Sequence, residues 1–442
     1  VNKLVEKEYS QELGRPAKEP EMMYKLLFLQ TKDLLSDREV IEKAKTDMAY
    51  KFFLDLNPED ELPDASLLSI FRNTKIKEEK ILEEMLRETV RQAIEKGIVK
   101  SNSIIVDSAH TRSKSQKKTP TQILRELSKN LRKEIYRSNP EMKEKFPKKP
   151  EDSATLEEEI SYTEELTKVI RKQLSDKTEE NVIRKLEKVE NMLKDDKLKE
   201  IQSAVDKDAR QGYKSEDNDF FGYKNHVAMT PERIVTGLEV TSGEAPDGKY
   251  MQSLVEKSKE AGIEVKEVIG DKAYSERANL EYGKENDIAI ISRLNGIISN
   301  SKKVNDGFEY IKDADTLRCP AGYLAMKKQY RAECIKKDGN KRNATMEYTF
   351  DKNKCKECTQ REKCPLSKQK YKTYMISIMS NIHKEQAKFE NTDYFKNRLR
   401  YERYKIEAKN AETKVTHGLN KAKSVGLSCM RIQSYLAHIT AN

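Results

Sequence analysis

Ser103-Ile104-Ile105-Val106-Asp107 is the stretch from which the rest of the chain can be read. Three β-branched residues in a row favour a strand, and an apolar run this short suits one buried on both faces. It ends on a carboxylate, and α/β sheets carry their sites at the C-terminal ends of their strands. The pattern repeats at Val265–Gly270, which is followed by Asp271. Between the two lie strand signals at Tyr223–Met229 and Arg233–Thr241 and a helical pattern from Lys249 to Ala261; Ile288–Arg293 reads as a last strand. A hairpin of strands followed by alternating helix and strand predicts an α/β fold with a mixed sheet.

Upstream, the first hundred residues read as helices. Met22, Met23, Leu26 and Leu27 start an apolar stripe after Pro20 and Glu21, and Ser36 precedes Asp37 as a cap. Pro63-Asp64-Ala65-Ser66 is a turn and cap leading into Leu67, Leu68, Ile70, Phe71 and Arg72, and a longer helix runs from about Lys77 to Lys96, stopping at Gly97. Short helices on tight turns fit a helix-turn-helix DNA module and fit a plain bundle equally well. The organisation read from the sequence is an all-α N-terminal region at 1–100, the first strand of the catalytic domain at 101–111, a charged helical insertion at 112–210, the domain continued at 211–294, a Cys-rich insertion at 295–390 and completing helices at 391–442. In the first insertion Val182, Leu186, Val189 and Leu193 recur at helical steps, as do Leu166, Val169 and Ile170, which predicts a helical hairpin over roughly 155–202.

Charge narrows the function. Charged residues make up 36% of the 442, with Lys+Arg 85 against Asp+Glu 75. From Arg112 to Pro150 there are thirteen Lys/Arg and four Asp/Glu, a net of +9, while the following segment to Arg210 is net −5. Clustered cations gain free energy by releasing counterions from phosphates, so the basic stretch is a candidate polyanion contact; its alternative is a solvated, charged loop. No run approaches the ~18 apolar residues of a membrane span and no secretory apolar region follows Val1, which argues against membrane insertion and export. Six cysteines in a chain this long are too few for a disulfide scaffold and point to a reducing compartment. Val1 and Asn442 read as trimmed ends.

Two strand-end aspartates acquire meaning with a third acid. On the C-terminal helical pattern lies Arg403-x3-Glu407-x6-Lys414, whose spacings of four and seven put all three on one helix face. Phosphodiester cleavage without a covalent intermediate needs acids holding two divalent ions about 3.5–4 Å apart. Oxygen ligands suit Mg²⁺ or Mn²⁺, and Arg and Lys beside the acid would grip flanking phosphates. Separately, Cys355-x2-Cys358-x5-Cys364, with Cys319 from Arg318-Cys319-Pro320-Ala321-Gly322, has the donors of a structural Zn²⁺ site. Unliganded thiols in a basic loop are the alternative. His110 and His226 are further candidates for lining the site.

These blocks resemble the DDE transposases of bacterial insertion sequences, in the branch with a Tyr-Arg-Glu-Lys signature, and most closely the group named eleven-eighty-two. The resemblance runs over nearly the whole chain: Leu13-Gly14-Arg15-Pro16, Pro63 through Arg72, Val106-Asp107-Ser108-Ala109-His110, Asp208-Ala209-Arg210 through Phe221-Gly222-Tyr223-Lys224-Asn225-His226, Gly270-Asp271-Lys272-Ala273-Tyr274, and Arg403, Glu407 and Lys414. It implies an RNase H-like domain with Asp107, Asp271 and Glu407 as a metal-binding triad. It also implies DNA contacts from Arg403, Lys414, Arg15, Arg72 and Lys224. The partners so implied are double-stranded DNA (the inverted-repeat ends and the target) and a second copy of the chain, in the nucleoid of the bacterial cytoplasm. The signature departs at its first position, where Arg400 stands seven residues before Glu407 in place of Tyr. Glu402 is therefore a competitor, with Arg398 before it, Lys409 after it and Phe395 in the Tyr position. Ile406-Glu407-Ala408-Lys409-Asn410, followed by His417-Gly418-Leu419, resembles the family's segment and favours Glu407. An inactive or repurposed DNA-binding descendant, and an RNase H-like nuclease that cuts without joining, are the alternatives.

Overall fold

The computed structural model describes residues 1–9, 18–173, 179–196, 198–215, 218–295, 307–311, 314–335, 341–370 and 372–442. A six-stranded mixed sheet holds β1 (Ser103–Arg112), β2 (Arg210–Ser215), β3 (Asn218–Met229), β4 (Val235–Ser242), β5 (Glu267–Ile269) and β6 (Ala289–Ile291). β3 lies antiparallel to β1, and its other edge is shared by β4 and, further along, by β2. On the far side of β1, β5 and then β6 run parallel to it. Side chains alternate across the strands. Ile104, Val106, Ala228, Val268 and Ile290 enter one buried cluster with Met251, Leu254 and Val255 of the helix Met251–Glu260. Ile105, Val227, Met229, Ile269 and Ile291 enter the other. Both faces are covered, which is why the core of β1 reads as a continuous apolar run.

The second cluster reaches far beyond the sheet. It includes Met23, Leu26 and Leu27 of the helix Pro20–Lys32, Leu68 and Phe71 of Ala65–Thr74, Leu82 and Met85 of Glu79–Glu95, and Met430, Ile432, Tyr435 and Leu436 of Leu427–Ala441. The N-terminal helices thus share one core with the sheet. Their starts are set locally: Ser36 and Glu39 form a reciprocal capping box, and the Asp64 carboxylate accepts from the Ser66 N–H at 2.8 Å.

β1 runs on past Asp107 to Arg112, because Ser108–Arg112 pairs with His226–Gly222 of β3. The basic stretch is largely helical rather than the solvated loop that was its alternative. Thr119 and Gln122 cap a helix, Pro120–Ser138, that buries Ile123, Leu124, Leu127, Leu131 and Ile135 against the helices Leu156–Gln173 and Glu180–Leu193. The hairpin is therefore two-thirds of a three-helix unit with its own core. In the Cys-rich region Lys327–Arg331, Thr345–Thr349 and Thr373–Ser377 form an antiparallel sheet over Leu317, Tyr348, Phe350, Leu366 and Tyr374. Among the described residues, no helix is long and apolar enough to cross a membrane.

Candidate active site

Register brings the first two acids together. Ile105 pairs with Ile269 where β1 and β5 run parallel, and each acid lies two residues further on. Asp107 and Asp271 therefore each follow a paired position on adjacent strands by two residues, Asp107 within β1 and Asp271 just past the end of β5. Asp271 follows Gly270, where a β-carbon would stand 2.6 Å from Tyr274 Cδ2 and 3.0 Å from Val106 Cγ2, so only glycine fits. The Asp271 Oδ1 accepts from the Ala273 N–H at 2.9 Å, fixing the turn Lys272–Ser275. Tyr274 is buried behind this turn, its hydroxyl without a hydrogen-bond partner among the described residues.

Burial, with the neighbouring Asp271 and Asp247 carboxylates, pushes Asp107 up from 3.8 to about 6, against the opposing pull of the Ser108 N–H and Arg403. The helix Tyr404–Val415 packs on β1, and the Asn410 amide donates to Asp107 Oδ2 at 3.1 Å while its own Oδ1 is buried without a partner among the described residues. Asn410 stands three residues after Glu407, on the same helix face. Glu407 lines an open cleft of about 880 Å³ with Asp271, and Lys272, Arg293, Lys396, Arg400 and Arg403 line it too. Five cations against two carboxylates make the cleft a place for a polyanion.

Glu402 faces elsewhere. It pairs with Lys405 at 2.6 Å and with Arg398 at 3.3 Å, and Arg398 also reaches Glu267 at 2.7 Å and the Ser103 hydroxyl at 2.9 Å. Ser103 and Glu267 begin β1 and β5, the opposite end from Asp107 and Asp271. Lys409, the flanking cation of that frame, is buried with its ammonium on the Ala441 carbonyl.

The residues expected on DNA divide. Arg403 lines the cleft and pairs with Glu407 at 3.5 Å; Lys414 is half-buried on the same helix face. Arg72 is half-buried and paired with Asp37, at 2.9 and 2.5 Å, and Lys224 is bound by Asp247 at 2.9 Å and the Ala245 carbonyl at 2.8 Å. Arg15 lies outside the described residues. His226 is buried, stacked on Tyr250, and burial lowers it to about 4; His110 packs on Phe220. Asn410, Asp247 and the cleft cations Lys272, Arg293, Lys396 and Arg400 were not anticipated. Only Asn410 had a readable signal, its helical spacing from Glu407.

Among the described residues, no three His, Cys, Asp or Glu side chains stand close enough to hold a metal ion. The Asp271 charge acts on Asp107, and Asp271 shares the cleft with Glu407, but the three do not form one cluster. Their donors nevertheless fit a hard cation in kind: oxygens only, two like charges side by side, and an orphaned amide oxygen next to them. Cys319, Cys355, Cys358 and Cys364 line one narrow hollow beside Phe308 and Phe350, and all six cysteines are free thiols. Burial, followed by the nearby Cys364, Cys319 and Cys358, pushes the Cys355 thiol up.

Comparison with known families gives two matches. Residues 194–421 match the transposase DDE domain, and residues 1–74 match the transposase domain DUF772. The first match contains Asp271 and Glu407 and begins beyond Asp107. No curated protein and no solved structure matches the chain.

Proposed function

This chain belongs to the transposase DDE domain family and is a DDE transposase; on that premise we propose that it binds the inverted-repeat ends of an insertion sequence, cleaves the phosphodiester there and joins the 3′ end to target DNA. The observation that carries this reading is the register of β1 and β5, which sets Asp107 beside Asp271 next to a cation-lined cleft holding Glu407. An RNase H-like sheet is the matching fold proposal, supported by four strands paired antiparallel, β1 to β4, continued by two parallel ones, β5 and β6. Synapsis of two ends asks for at least a dimer on DNA, working at the bacterial nucleoid.

Asp107, Asp271 and Glu407 would hold Mg²⁺ or Mn²⁺, which when bound supplies an activated water or 3′-hydroxyl and a counter-charge for the leaving oxygen. Asn410 orients the Asp107 carboxylate from the helix that carries Glu407. Arg403 orients Glu407, and Lys272, Arg293 and Lys396 bind the phosphates on either side of the scissile bond. The tightly packed Gly270–Tyr274 turn fixes where Asp271 points. In the Cys-rich region, Cys319, Cys355, Cys358 and Cys364 are proposed to hold one structural Zn²⁺, supported by their shared hollow and by the suitability of cysteine sulfur as a zinc donor.

The test is a cleavage and strand-transfer assay with labelled inverted-repeat ends, a target plasmid and Mg²⁺ or Mn²⁺. Cut and joined products are expected, lost with Asp107→Asn, Asp271→Asn and Glu407→Gln and kept with Glu402→Gln. Cutting without joining would make the chain a nuclease, and DNA binding without cutting would make it a repurposed binding protein.

A further inference from the structure

We propose that the exposed face of the helix Pro120–Ser138 and the segment after it form a second DNA-backbone contact, taking duplex phosphates without regard to sequence. Lys129, Lys133 and Arg137 recur at steps of four, so they stand in one stripe at about 6 Å intervals along the helix. All three are exposed, Arg137 to 74% of its side chain, and Lys143, Lys148 and Lys149 continue the exposed cations beyond the helix. The opposite face is fully used against the neighbouring helices, so the stripe can only look outward.

The local acids offset it only in part: after the helix, exposed Glu141 and Glu144 stand against four exposed lysines, Lys143, Lys145, Lys148 and Lys149. Glu126 is taken by Lys118 at 2.5 Å; Glu134 is 7% exposed and turned to Lys185 of the neighbouring helix, with Arg137 at 3.4 Å. Like charges at a four-residue spacing destabilise a helix. The stripe therefore works against its own helix, and an anion outside the fold would remove the conflict. Placement agrees. The insertion leaves the sheet at Arg112, five residues beyond Asp107 along β1, on the C-terminal side of that acid. A duplex entering the cleft would leave its flank beside this unit.

The proposal rests on the transposase reading, and one experiment separates the two. The full chain and Lys129→Gln/Lys133→Gln/Lys143→Gln/Lys149→Gln are titrated against a random-sequence duplex at several salt concentrations by fluorescence anisotropy. Circular dichroism checks the helix content. The variant should bind at least tenfold more weakly at low salt, and its log K against log salt slope should be shallower by about 0.9 for each phosphate that is no longer neutralised. The corresponding four Lys→Arg changes should keep both. If the parent chain binds duplex and the Gln variant matches it in affinity and slope, the second contact does not exist. A parent chain that binds no duplex at low salt overturns the functional reading itself. Should the fourfold variant lose helix, Lys129→Gln/Lys133→Gln, both exposed, gives the same answer at half the slope change.

Discussion

Replacing Asp107 by Asn should make the metal-free protein more stable while abolishing cleavage. Asp107 rises from 3.8 to about 6 because burial and two neighbouring carboxylates oppose its charge. Holding it ionised therefore costs about 3 kcal/mol relative to the unfolded chain. The sign follows from proton counting. Below pH 3.8 the carboxyl is protonated in both states and there is no cost. As pH rises through the window from 3.8 to about 6 the unfolded chain ionises first, and the folded state loses stability until the cost is complete above pH 6. Asn removes the charge and can still accept from the Asn410 amide. Urea unfolding with a chelator present should show Asp107→Asn ahead by up to about 3 kcal/mol at pH 7.5, with the gain shrinking towards pH 4. Added Mg²⁺ should stabilise the parent and leave the variant unmoved. A variant less stable than the parent at pH 7.5, or a gain just as large at pH 4, would refute the reasoning.

Three further outcomes are expected. Gly270→Ala places a methyl 2.6 Å from the ring of buried Tyr274, costing about 1–3 kcal/mol and misdirecting Asp271; an unchanged melting temperature with full cleavage would contradict that packing. His438, wholly buried, is lowered from 6.5 to about 4, so its contribution is fully present above pH 6.5 and is lost, up to about 3 kcal/mol, as pH falls towards 4. This runs opposite to Asp107, and a His438→Gln variant should show a flatter acid slope in unfolding midpoints; an identical slope counts against it. Protein purified under reducing conditions should carry about one zinc per chain by elemental analysis, lost with Cys358→Ser; a zero metal content in the parent would leave the hollow as four thiols.

What the sequence could tell depended on whether the deciding forces were local. The β1 and β5 cores and the acids after them were readable because a short apolar run before a carboxylate, Ile104-Ile105-Val106 in one case and Val268-Ile269 in the other, is a short-range pattern. The second half of β1 was not, since Ser108–Arg112 offers only small or polar residues, with Ala109 and Thr111 buried by β3 pairing. The helix Pro120–Ser138 was legible in principle: Leu124, Leu127 and Leu131 lie at helical steps, but the net +9 drew the reading to charge. Arg72 and Lys224 were expected on DNA from the resemblance, and their pairing with Asp37 and Asp247 was not legible because those partners are distant in sequence and carry no spacing signal. The choice of Glu407 over Glu402 needed the direction of Arg398, which only the strand ends reveal. That the N-terminal helices merge into the sheet's core was likewise invisible, because an apolar stripe does not name what it packs on.

That merged core has a consequence during synthesis. Met430, Ile432, Tyr435 and Leu436 fill the same cluster as Leu26, Leu82 and Ile105, so the earliest helices lack their final packing surface until the last one has been made. At 5–20 residues per second, the interval between Glu95 and Leu427 is roughly 20–70 s. Throughout that wait the nascent chain shows apolar faces that invite chaperones or misassociation. The insertion is exempt, since its three helices are consecutive and share a private core, and it can settle while the ribosome is still working. The Glu407 helix rests against β1 and the final helix, so an acid-complete cleft should form only when translation is nearly finished.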